Sequence, residues 1–355
     1  MSRTLFLTGA SGFVGSAALE YVMWNTDWRV ICPTTMRHYG SQSRLADLRE
    51  KYNERIHVVP CDLAMPFTPD LFGLDGPGSV DFIWNIASES HVDRSLGEPE
   101  SFIRNNVELM LNVLRFAIDT KPRIFLHMST DEVFGPQYDD QSPHDEWAPI
   151  KPSNPYSASK AAQEAIAYSY WRAYDVPLVM TNTMNLIGPR QHPEKFVPKM
   201  IRALKNGEPL TIHAQKDAEG QWESGTRCWI GIEDFADAWL WLTRTFDMVT
   251  RSRAHAGHLT YYPNMPREPH RFNIVGQRAS NLEVAETLAE IMGVERPDIQ
   301  MVNFHQSRPG HDMHYGLDGT KLTEMGWTLP ANLVDRLIQT VHWYQDFPDA
   351  LEVKG

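Results

Sequence analysis

The sequence predicts an α/β fold built on a doubly wound parallel sheet, joined to a smaller mixed α/β domain. Two observations support this. Short apolar runs alternate with helical patterns through about residue 186, and a glycine-rich turn separates the first run from the first helix. The chain has 355 residues, enough for one large domain or two modest ones. We expect a first domain of residues 1–186 plus 228–250 and a second of residues 187–227 plus 251–355.

Composition and charge exclude several classes of protein. A hydrophobic content of 42% is ordinary for a globular enzyme, and a net charge of −12 argues against a nucleic-acid partner. No apolar run approaches the roughly 20 residues of a membrane span. Cys32, Cys61 and Cys228 are widely separated and lack metal-ligand spacing, which indicates buried thiols in a reducing cytosol and no metal site. We therefore expect a cytoplasmic protein with neither membrane nor nucleic acid as partner.

A glycine-rich turn follows the first predicted strand, Thr4 to Thr8, and opens a helix that runs to about Trp24. Glycines here let backbone N–H groups approach a pyrophosphate, and the helix N-terminus adds favourable partial charge. The spacing is GxxGxxG, which a simple tight turn would also explain, but its position at the start of an α/β pattern favours dinucleotide binding. The residues expected at the cofactor are Gly9, Ser11, Gly12, Phe13, Val14 and Gly15.

The end of the second strand bears on the choice between NAD and NADP. A dinucleotide site usually places an acid there for the adenosine ribose, but the strand from Arg29 to Thr35 ends without one. Arg37 could pair with the 2′-phosphate of NADP or be a solvated loop residue, and the sequence leaves both open. Thr34, Asp62 and Leu63 are expected beside the cofactor, with Asp62 suited to the adenine amine.

The fourth predicted strand, Val80 to Ala87, runs into a dense polar loop, and a long helix from Pro99 to about Asp119 follows. Two apolar stripes on this helix predict burial on two sides, one against the sheet and one against another subunit. The first stripe is Ile103, Val107, Met110, Leu114 and Ala117, and the second is Phe102, Leu109, Val113 and Phe116.

Two adjacent acids, Asp131 and Glu132, follow the buried strand predicted from Ile124 to Met128. Burying either one unpaired would cost roughly several kcal/mol, so packing does not explain them. Tyr156 and Lys160 lie one turn apart on the next helix. Two acids that face a Tyr/Lys pair predict proton transfers at more than one atom of a bound substrate.

The remaining predicted elements lie on both sides of residue 186, and the alternation of strands and helices is less regular after it. Asn154 is predicted to cap the helix that bears Tyr156, with Pro155 at its first position. Further strands are predicted at Ile56–Pro60, Val176–Asn182, Cys228–Ile232 and Phe272–Val275, and further helices at Phe196–Asn206, Glu233–Phe246, Asn281–Met292 and Leu333–Trp343.

These residues resemble the extended short-chain dehydrogenase/reductase superfamily and, within it, the nucleotide-sugar 4,6-dehydratases, with the dTDP-glucose enzymes the best match. The glycine turn, the YxxxK pair and the Asn105-Asn106-Val107 helix are shared with many sugar-nucleotide epimerases. The acids after Thr130 separate dehydratases from epimerases. The other narrow signals are the run from Ala87 to Ser95, Pro193-Glu194-Lys195, and Arg308-Pro309-Gly310-His311-Asp312. The resemblance implies a Rossmann domain for the cofactor and a smaller sugar-nucleotide-binding domain.

The resemblance also implies a mechanism. Tyr156, as phenolate, takes the proton of the sugar 4-hydroxyl while Lys160 lowers the pKa of Tyr156 and holds the nicotinamide ribose. Hydride moves from carbon 4 to a tightly bound NAD or NADP and later returns to carbon 6, so the cofactor is regenerated in each turnover. Glu132 removes the carbon 5 proton, protonated Asp131 assists loss of the 6-hydroxyl as water, and Thr130 hydrogen-bonds the 4-oxygen.

Further roles come from the resemblance residue by residue. Ala87, Asn106, Tyr156 and Lys160 are expected at the cofactor. Asn273 and His311 have an alternative as ordinary structural hydrogen-bonders. The residues expected at the sugar, diphosphate and nucleoside are Ser88, Glu89, Ser90, Thr130, Asn185, Glu194, Lys195, Phe196, Val197, His213, Arg227, Asn273 and His311.

The sequence departs from the family pattern on the nucleotide side. Thr211, His213 and Ala214 stand where dTDP enzymes usually carry Pro, Tyr and Gly, and Cys228 replaces a common acid. UDP-, GDP- or CDP-linked hexoses therefore stay open beside dTDP-glucose. A 4-epimerase or dehydrogenase, and a non-catalytic NAD(P)-binding regulator, are the alternative functions. The resemblance also implies a homodimer, packed through the Pro99–Asp119 helix and the Tyr156 helix.

Overall fold

The computed structural model describes residues 2–35, 42–137, 142–217, 219–255, 268–303 and 313–352. Its strands are β1 (Thr4–Thr8), β2 (Arg29–Thr34), β3 (Ile56–Pro60), β4 (Phe82–Asn85), β5 (Ile124–Thr130), β6 (Leu178–Thr183), β7 (Leu186–Ile187), β8 (Leu210–Lys216), β9 (Trp222–Ser224), β10 (Thr226–Gly231), β11 (His270–Ile274), β12 (Gln277–Ser280) and β13 (Ile299–Asn303). Its helices are α1 (Phe13–Asn25), α2 (Gln42–Tyr52), α3 (Val92–Gly97), α4 (Pro99–Thr120), α5 (Pro155–Tyr174), α6 (Phe196–Asn206), α7 (Ile232–His255), α8 (Asn281–Ile291), α9 (Thr320–Glu324) and α10 (Leu333–Asp346).

Seven strands form the main sheet in the order β11-β6-β5-β4-β1-β2-β3. The pairs β1–β2, β2–β3, β1–β4 and β4–β5 are parallel. Strand order reverses between β1 and β4, and ligands of such sheets bind outside the carboxyl ends of the strands at this point. The residues that follow β1, β4 and β5 lie at that edge, so the predicted doubly wound fold is confirmed and the predicted site is at its switch point.

The chain divides into two compact units. Unit 1 comprises Met1–Val133, Asn154–Asn182 and Phe235–Phe272, and contains most of the main sheet. Its core includes a cluster of aromatic rings in which Phe6 lies 4.2 Å from Phe116 and 5.0 Å from Phe72, between ring centroids. Most of the residues of both apolar stripes on α4 are buried here, against the sheet and α5.

Unit 2 comprises Phe134–Ser153, Thr183–Asp234 and Asn273–Gly355. It contains two three-stranded sheets, ordered β12-β10-β7 and β13-β8-β9. Its core gathers buried side chains from α6, α8 and α10, including Leu337 and Tyr344, around β8 and β10. A smaller mixed α/β unit therefore accompanies the main sheet, as the sequence predicts.

The boundaries of the units differ from those that the sequence suggests. Residues 228–234 belong to unit 2 because β10 pairs with β12 and β7 and has no partner in the main sheet among the described strands. Conversely, β11 forms an edge of the main sheet although it was expected in the second domain. Both strands are short apolar runs, and which sheet each joins is decided by pairing across the fold rather than by local pattern.

Candidate active site

The turn after β1 has the geometry of a phosphate cradle. Gly9 has φ +75°, and Gly12 N–H donates to the Gly9 carbonyl at 2.9 Å. A Cβ on Gly15 would lie 2.1 Å from the Gly9 oxygen, and one on Gly9 would lie 3.0 Å from the Ala87 nitrogen. Because α1 begins at Phe13 with no side-chain cap, its first-turn N–H groups suit an anion. These residues fit the pyrophosphate of a dinucleotide.

The other predicted cofactor residues lie close to this turn or to the strands beside it. Ser11 Oγ and Thr34 Oγ1 are 2.8 Å apart, which ties the glycine turn to the end of β2. Asp62 accepts a hydrogen bond from the backbone N–H two residues later at 3.1 Å, so one carboxylate oxygen already stabilises its own turn. Leu63 is buried in the core of unit 1, where its side chain packs. Arg37 lies outside the described residues.

Asn106 uses its side-chain amide within unit 1. It is completely buried on α4. Its Oδ1 accepts from the Glu89 N–H at 2.8 Å, while its Nδ2 donates to the Glu89 carbonyl at 3.0 Å and to Ser159 Oγ at 2.9 Å. Its amide is thus used to hold the loop after β4 against α5, and its contact with a cofactor stays a prediction.

The acid pair lies where β5 ends and a short 3₁₀ turn begins. Thr130 Oγ1 donates to Asp131 Oδ1 at 2.9 Å, and both residues are buried. Glu132 is half-buried, and its Oε2 accepts a hydrogen bond from Asn154 Nδ2 at 2.9 Å. Asn182 Nδ2 donates to the Thr130 carbonyl at 2.9 Å. The two carboxylates therefore have different surroundings, which is a condition for dividing acid and base roles between them.

Lys160 lies one turn after Tyr156 on α5 and is 3% exposed. Its Nζ donates to the Met128 carbonyl at 2.7 Å and to Gln163 Oε1 at 2.6 Å. Burial lowers the pKa of Lys160 to about 7, against an opposing effect of the Glu164 carboxylate. The ammonium is thus fixed beneath the end of β5 and held near the midpoint of its titration at neutral pH.

Tyr156 is half-buried, and several groups act on its phenol. Burial is the largest cause that raises the pKa of Tyr156 above its ordinary value, and the charges of Glu132 and Asp131 raise it further. A hydrogen bond with the Thr130 side chain has the opposite effect. The lowering of this pKa expected from Lys160 is not among these influences. The structure nevertheless brings Tyr156, Thr130 and both acids together within unit 1, as the sequence predicts.

The loop after β4 carries three residues expected at the sugar. Ser88 Oγ donates to the Glu89 carbonyl at 3.2 Å, and Ser90 is exposed. The Glu89 carboxylate lies 3.8 Å from Arg94. Because Asn106 fixes the Glu89 backbone, the loop has a defined position at the carboxyl edge of the sheet. Its contact with a sugar stays a prediction.

Five residues expected at the substrate lie in unit 2 near the start of α6. Asn185 is half-buried with φ +38°, and Glu194 is exposed. Lys195 is the N-cap of α6 and makes no side-chain cap, so the first-turn N–H groups suit a phosphate. Phe196 packs against the core, whereas Val197 is buried within it at 1% exposure. The Val197 side chain thus packs in the core, and the expected contact of Val197 with substrate stays a prediction.

His213 and Arg227 lie on β8 and β10. His213 is half-buried, on the same face of β8 as Thr211, while Ala214 points to the core. The Arg227 guanidinium stacks on the Tyr315 ring at 4.5 Å, and its Nη1 donates to the Thr226 carbonyl at 2.8 Å. Stacking and the hydrogen bonds to the Thr226 and Met313 carbonyls fix the guanidinium plane, and the expected contact with a diphosphate stays a prediction.

Asn273 serves the fold of unit 2. It is completely buried, and its Nδ2 donates to the His144 carbonyl at 3.0 Å and the Asp318 carbonyl at 2.9 Å. Its backbone N–H donates to Glu146 Oε1 at 3.2 Å. Both amide protons are thus used within the fold, which favours the structural alternative over substrate binding. His311 lies outside the described residues.

A comparison with protein families identifies the chain's relatives. The model of the NAD dependent epimerase/dehydratase family matches residues 5–254. The chain belongs to this family. The resemblance drawn from the motifs is therefore confirmed, as is the expected nicotinamide dinucleotide at the level of the family. Among the described residues no cluster of His, Cys, Asp or Glu could hold a metal ion, and no helix is long and apolar enough to cross a membrane.

Similar members of the NAD dependent epimerase/dehydratase family cover nearly the whole chain. The low-salt glycan biosynthesis protein Agl12 of Haloferax volcanii is 34% identical over 96% of this chain and 98% of its own length. The dTDP-glucose 4,6-dehydratase of Neisseria gonorrhoeae is 30% identical over 97% and 96% of the two chains. The crystal structure of DesIV, a dTDP-glucose 4,6-dehydratase from Streptomyces venezuelae with NAD bound, superposes with a TM-score of 0.80 at 27% identity, covering 99% of each chain.

Several residues around this family member's site do not stand out in the sequence. Asn154 was recognised as a helix cap, but its hydrogen bond to Glu132 depends on the fold. Glu164, Asn182 and Arg271 form a buried network behind β5. The position of Glu164 one turn after Lys160 is a local signal of that network, but it does not predict which residues Glu164 binds.

Proposed function

We propose that the protein is a nucleotide-sugar 4,6-dehydratase that converts an NDP-hexose to the NDP-4-keto-6-deoxyhexose. Among NDP-hexoses, we propose dTDP-glucose as the preferred substrate. The observation that supports this most is the placement of Thr130, Asp131 and Glu132 around the phenol of Tyr156, because both acids act on its pKa. Proton removal at carbon 4 needs only the Tyr/Lys pair. A second base and an acid are needed when a proton also leaves carbon 5 and water leaves carbon 6.

Each side chain has one task in this proposal. Tyr156 accepts the proton of the 4-hydroxyl, and the Thr130 hydroxyl hydrogen-bonds the same oxygen. Glu132, oriented by Asn154, removes the proton from carbon 5, and Asp131 donates a proton to the leaving 6-hydroxyl. A bound nicotinamide supplies reversible acceptance of hydride. We propose NAD over NADP, supported by the family's description and by the NAD bound in the DesIV structure.

Dehydration can be tested with purified protein in heavy water and a panel of dTDP-, UDP-, GDP- and CDP-glucose analysed by mass spectrometry. We expect a product that has lost one water and gained solvent deuterium at carbon 5, and the base that gives it identifies the nucleotide. An isomer of unchanged mass would point to an epimerase. No change across the panel, with NAD+ and NADP+ supplied, would exclude the proposed reaction.

The variant Glu132→Gln separates the steps. We expect dehydration to fall by at least about 100-fold, because removal of a general base typically costs that much. Oxidation at carbon 4 should continue, since Tyr156 and Lys160 are intact, and the absorbance of reduced nicotinamide should rise on mixing with substrate. Unchanged dehydration in this variant would remove Glu132 from the mechanism.

A further inference from the structure

A buried charged network lies behind the catalytic strand. Arg271 on β11 and Glu164 on α5 form an ion pair with Nη2 and Oε2 2.8 Å apart, and each side chain is 3% exposed. Arg271 Nε also donates to Asn182 Oδ1 at 2.8 Å, and Asn182 Nδ2 donates to Glu164 Oε1 at 3.1 Å. The three side chains close a ring of hydrogen bonds in which the guanidinium holds both partners.

This ring connects the two halves of the catalytic apparatus. Asn182 Nδ2 also donates to the carbonyl of Thr130, at 2.9 Å, and Thr130 precedes the acid pair. Glu164 lies one turn after Lys160 on α5, and its carboxylate raises the pKa of Lys160 against the effect of burial. One guanidinium therefore fixes the strand end that carries the acids and the helix that carries the Tyr/Lys pair.

The chemistry of arginine favours a geometric role over a stabilising one. Desolvation of a buried ion pair can exceed its Coulombic gain, and well-packed apolar side chains often replace such a pair without loss of stability. A guanidinium differs from an apolar side chain, and from lysine, because its planar fork donates to two acceptors in fixed directions. Arg271 uses this property toward Asn182 and Glu164.

We propose that Arg271 is a positioning residue for the reaction: through Glu164 and Asn182 it sets the placement of Thr130 and the acids that follow relative to Tyr156 and Lys160. Arg271 touches neither substrate nor cofactor in this proposal. The inference rests on the proposed dehydratase function for its kinetic test, but its geometric content can be measured without substrate.

The deciding variant is the double replacement Arg271→Met with Glu164→Leu. An apolar pair should leave the protein folded with a Tm near that of the parent. If the network only stabilises the fold, kcat should stay within about twofold of the parent. If it positions the acids, kcat should fall roughly 10- to 100-fold with KM changed less than about threefold, because small misplacements of catalytic groups reduce rates by such factors.

The single variant Arg271→Lys tests whether charge alone suffices. A lysine ammonium keeps the positive charge but lacks the fork that reaches both acceptors in fixed directions. We expect kcat between those of the parent and the double variant. A parental kcat in the double variant would overturn the proposal whatever the kcat of Arg271→Lys.

Asp247→Asn is the matched control. Asp247, on α7, is 2% exposed and lies 2.6 Å from Arg123 and 2.5 Å from Arg3. Since Arg123 directly precedes β5, this ion pair supports the same strand at its opposite end. We expect the variant to lower Tm but leave kcat within about twofold of the parent, because it does not touch the Thr130 carbonyl.

Hydrogen exchange separates failure of this inference from failure of the proposed function. Amide exchange in residues 129–133 should be faster in the double variant than in the parent, while Asp247→Asn leaves this segment unchanged. If the parent protein dehydrates no sugar nucleotide, the proposed function is wrong, and this exchange measurement still decides the positioning role. Parental exchange in residues 129–133 of a folded double variant would overturn it.

Discussion

Lys160 is a residue whose proposed chemical role conflicts with the stability of the fold. It is buried, and its pKa of about 7 lies well below the ordinary lysine pKa of 10.5. Between these two pH values the unfolded chain binds more protons than the folded one, so this residue makes stability rise with pH across the window. Below about pH 7 both states are protonated, and the full cost of burying the ammonium remains, on the order of a few kcal/mol.

We expect Lys160→Met to stabilise the protein against unfolding at pH 6 and to lose this advantage as the pH rises toward 10. Loss of the hydrogen bonds to the Met128 carbonyl and Gln163 lowers the unfolding free energy of the variant by roughly 1–3 kcal/mol at every pH. The difference in unfolding free energy between variant and parent is measured by urea titration across this range. The exposed Lys205→Met serves as control and should show no such trend. A difference for Lys160→Met that is flat with pH would contradict the pKa shift.

At the scale of the element, the start of α5 does two things at once. Asn154 caps the helix, since its Oδ1 accepts from the Ser157 N–H at 2.9 Å, and its Nδ2 orients Glu132 at the same distance. Serine at this position should keep the cap but cannot reach the Glu132 carboxylate. The helix cap and the orientation of Glu132, the proposed base, are therefore separable by one substitution.

We expect Asn154→Ser to change the free energy of unfolding by less than about 1 kcal/mol, because serine and asparagine are similar N-caps. The dehydration rate should fall roughly 10-fold or more, since Glu132 loses the donor that fixes its orientation. Asn332, which caps α10 by accepting from the Asp335 N–H at 2.9 Å, provides the matched control in Asn332→Ser. Equal rates in both variants, measured on the same sugar nucleotide, would remove the orienting role.

Elements were easier to predict from the sequence than the tasks of single polar residues. Alternation of apolar runs and helical patterns located β1 to β6, and the Asn-Pro pair located the start of α5. Asn106 and Asn273 were expected at ligands, and both are buried with their amide N–H groups donating within the fold: those of Asn106 to the Glu89 carbonyl and Ser159 Oγ, those of Asn273 to two carbonyls. An asparagine that binds a ligand and one that only supports the fold have the same local sequence pattern. Only the burial and the hydrogen-bond partners of the side chain distinguish the two roles.

At the scale of the whole molecule, the hardest features to predict join distant parts of the chain. Arg271 and Glu164 are 107 residues apart, and no local sequence pattern predicts their pairing. The acid pair and the Tyr/Lys pair were predictable because each forms a compact motif, although their proximity also depends on the fold. Long-range pairing likewise places β10 and β11 in sheets other than those expected.

The expected homodimer, packed through α4 and α5, can be judged against the fold. The apolar stripes on α4 are mostly buried within unit 1, so they do not by themselves require a partner subunit. Ile103, Val107 and Leu111 recur every four residues and are only half-buried, which leaves an apolar face on this helix. The prediction of a dimer therefore rests on this face and on the homodimer that the family resemblance implies.

Light scattering at micromolar concentration should give the mass of a dimer for the parent protein and of a monomer for Val107→Arg. A guanidinium at the centre of an apolar interface would have to be desolvated without a partner, which costs several kcal/mol, roughly. Leu71→Arg, in the exposed turn Pro69–Phe72, introduces the same charge elsewhere on unit 1 and should leave the mass unchanged. A monomer mass for the parent, or a dimer that survives Val107→Arg with an unchanged dissociation constant, would exclude this helix face as the interface.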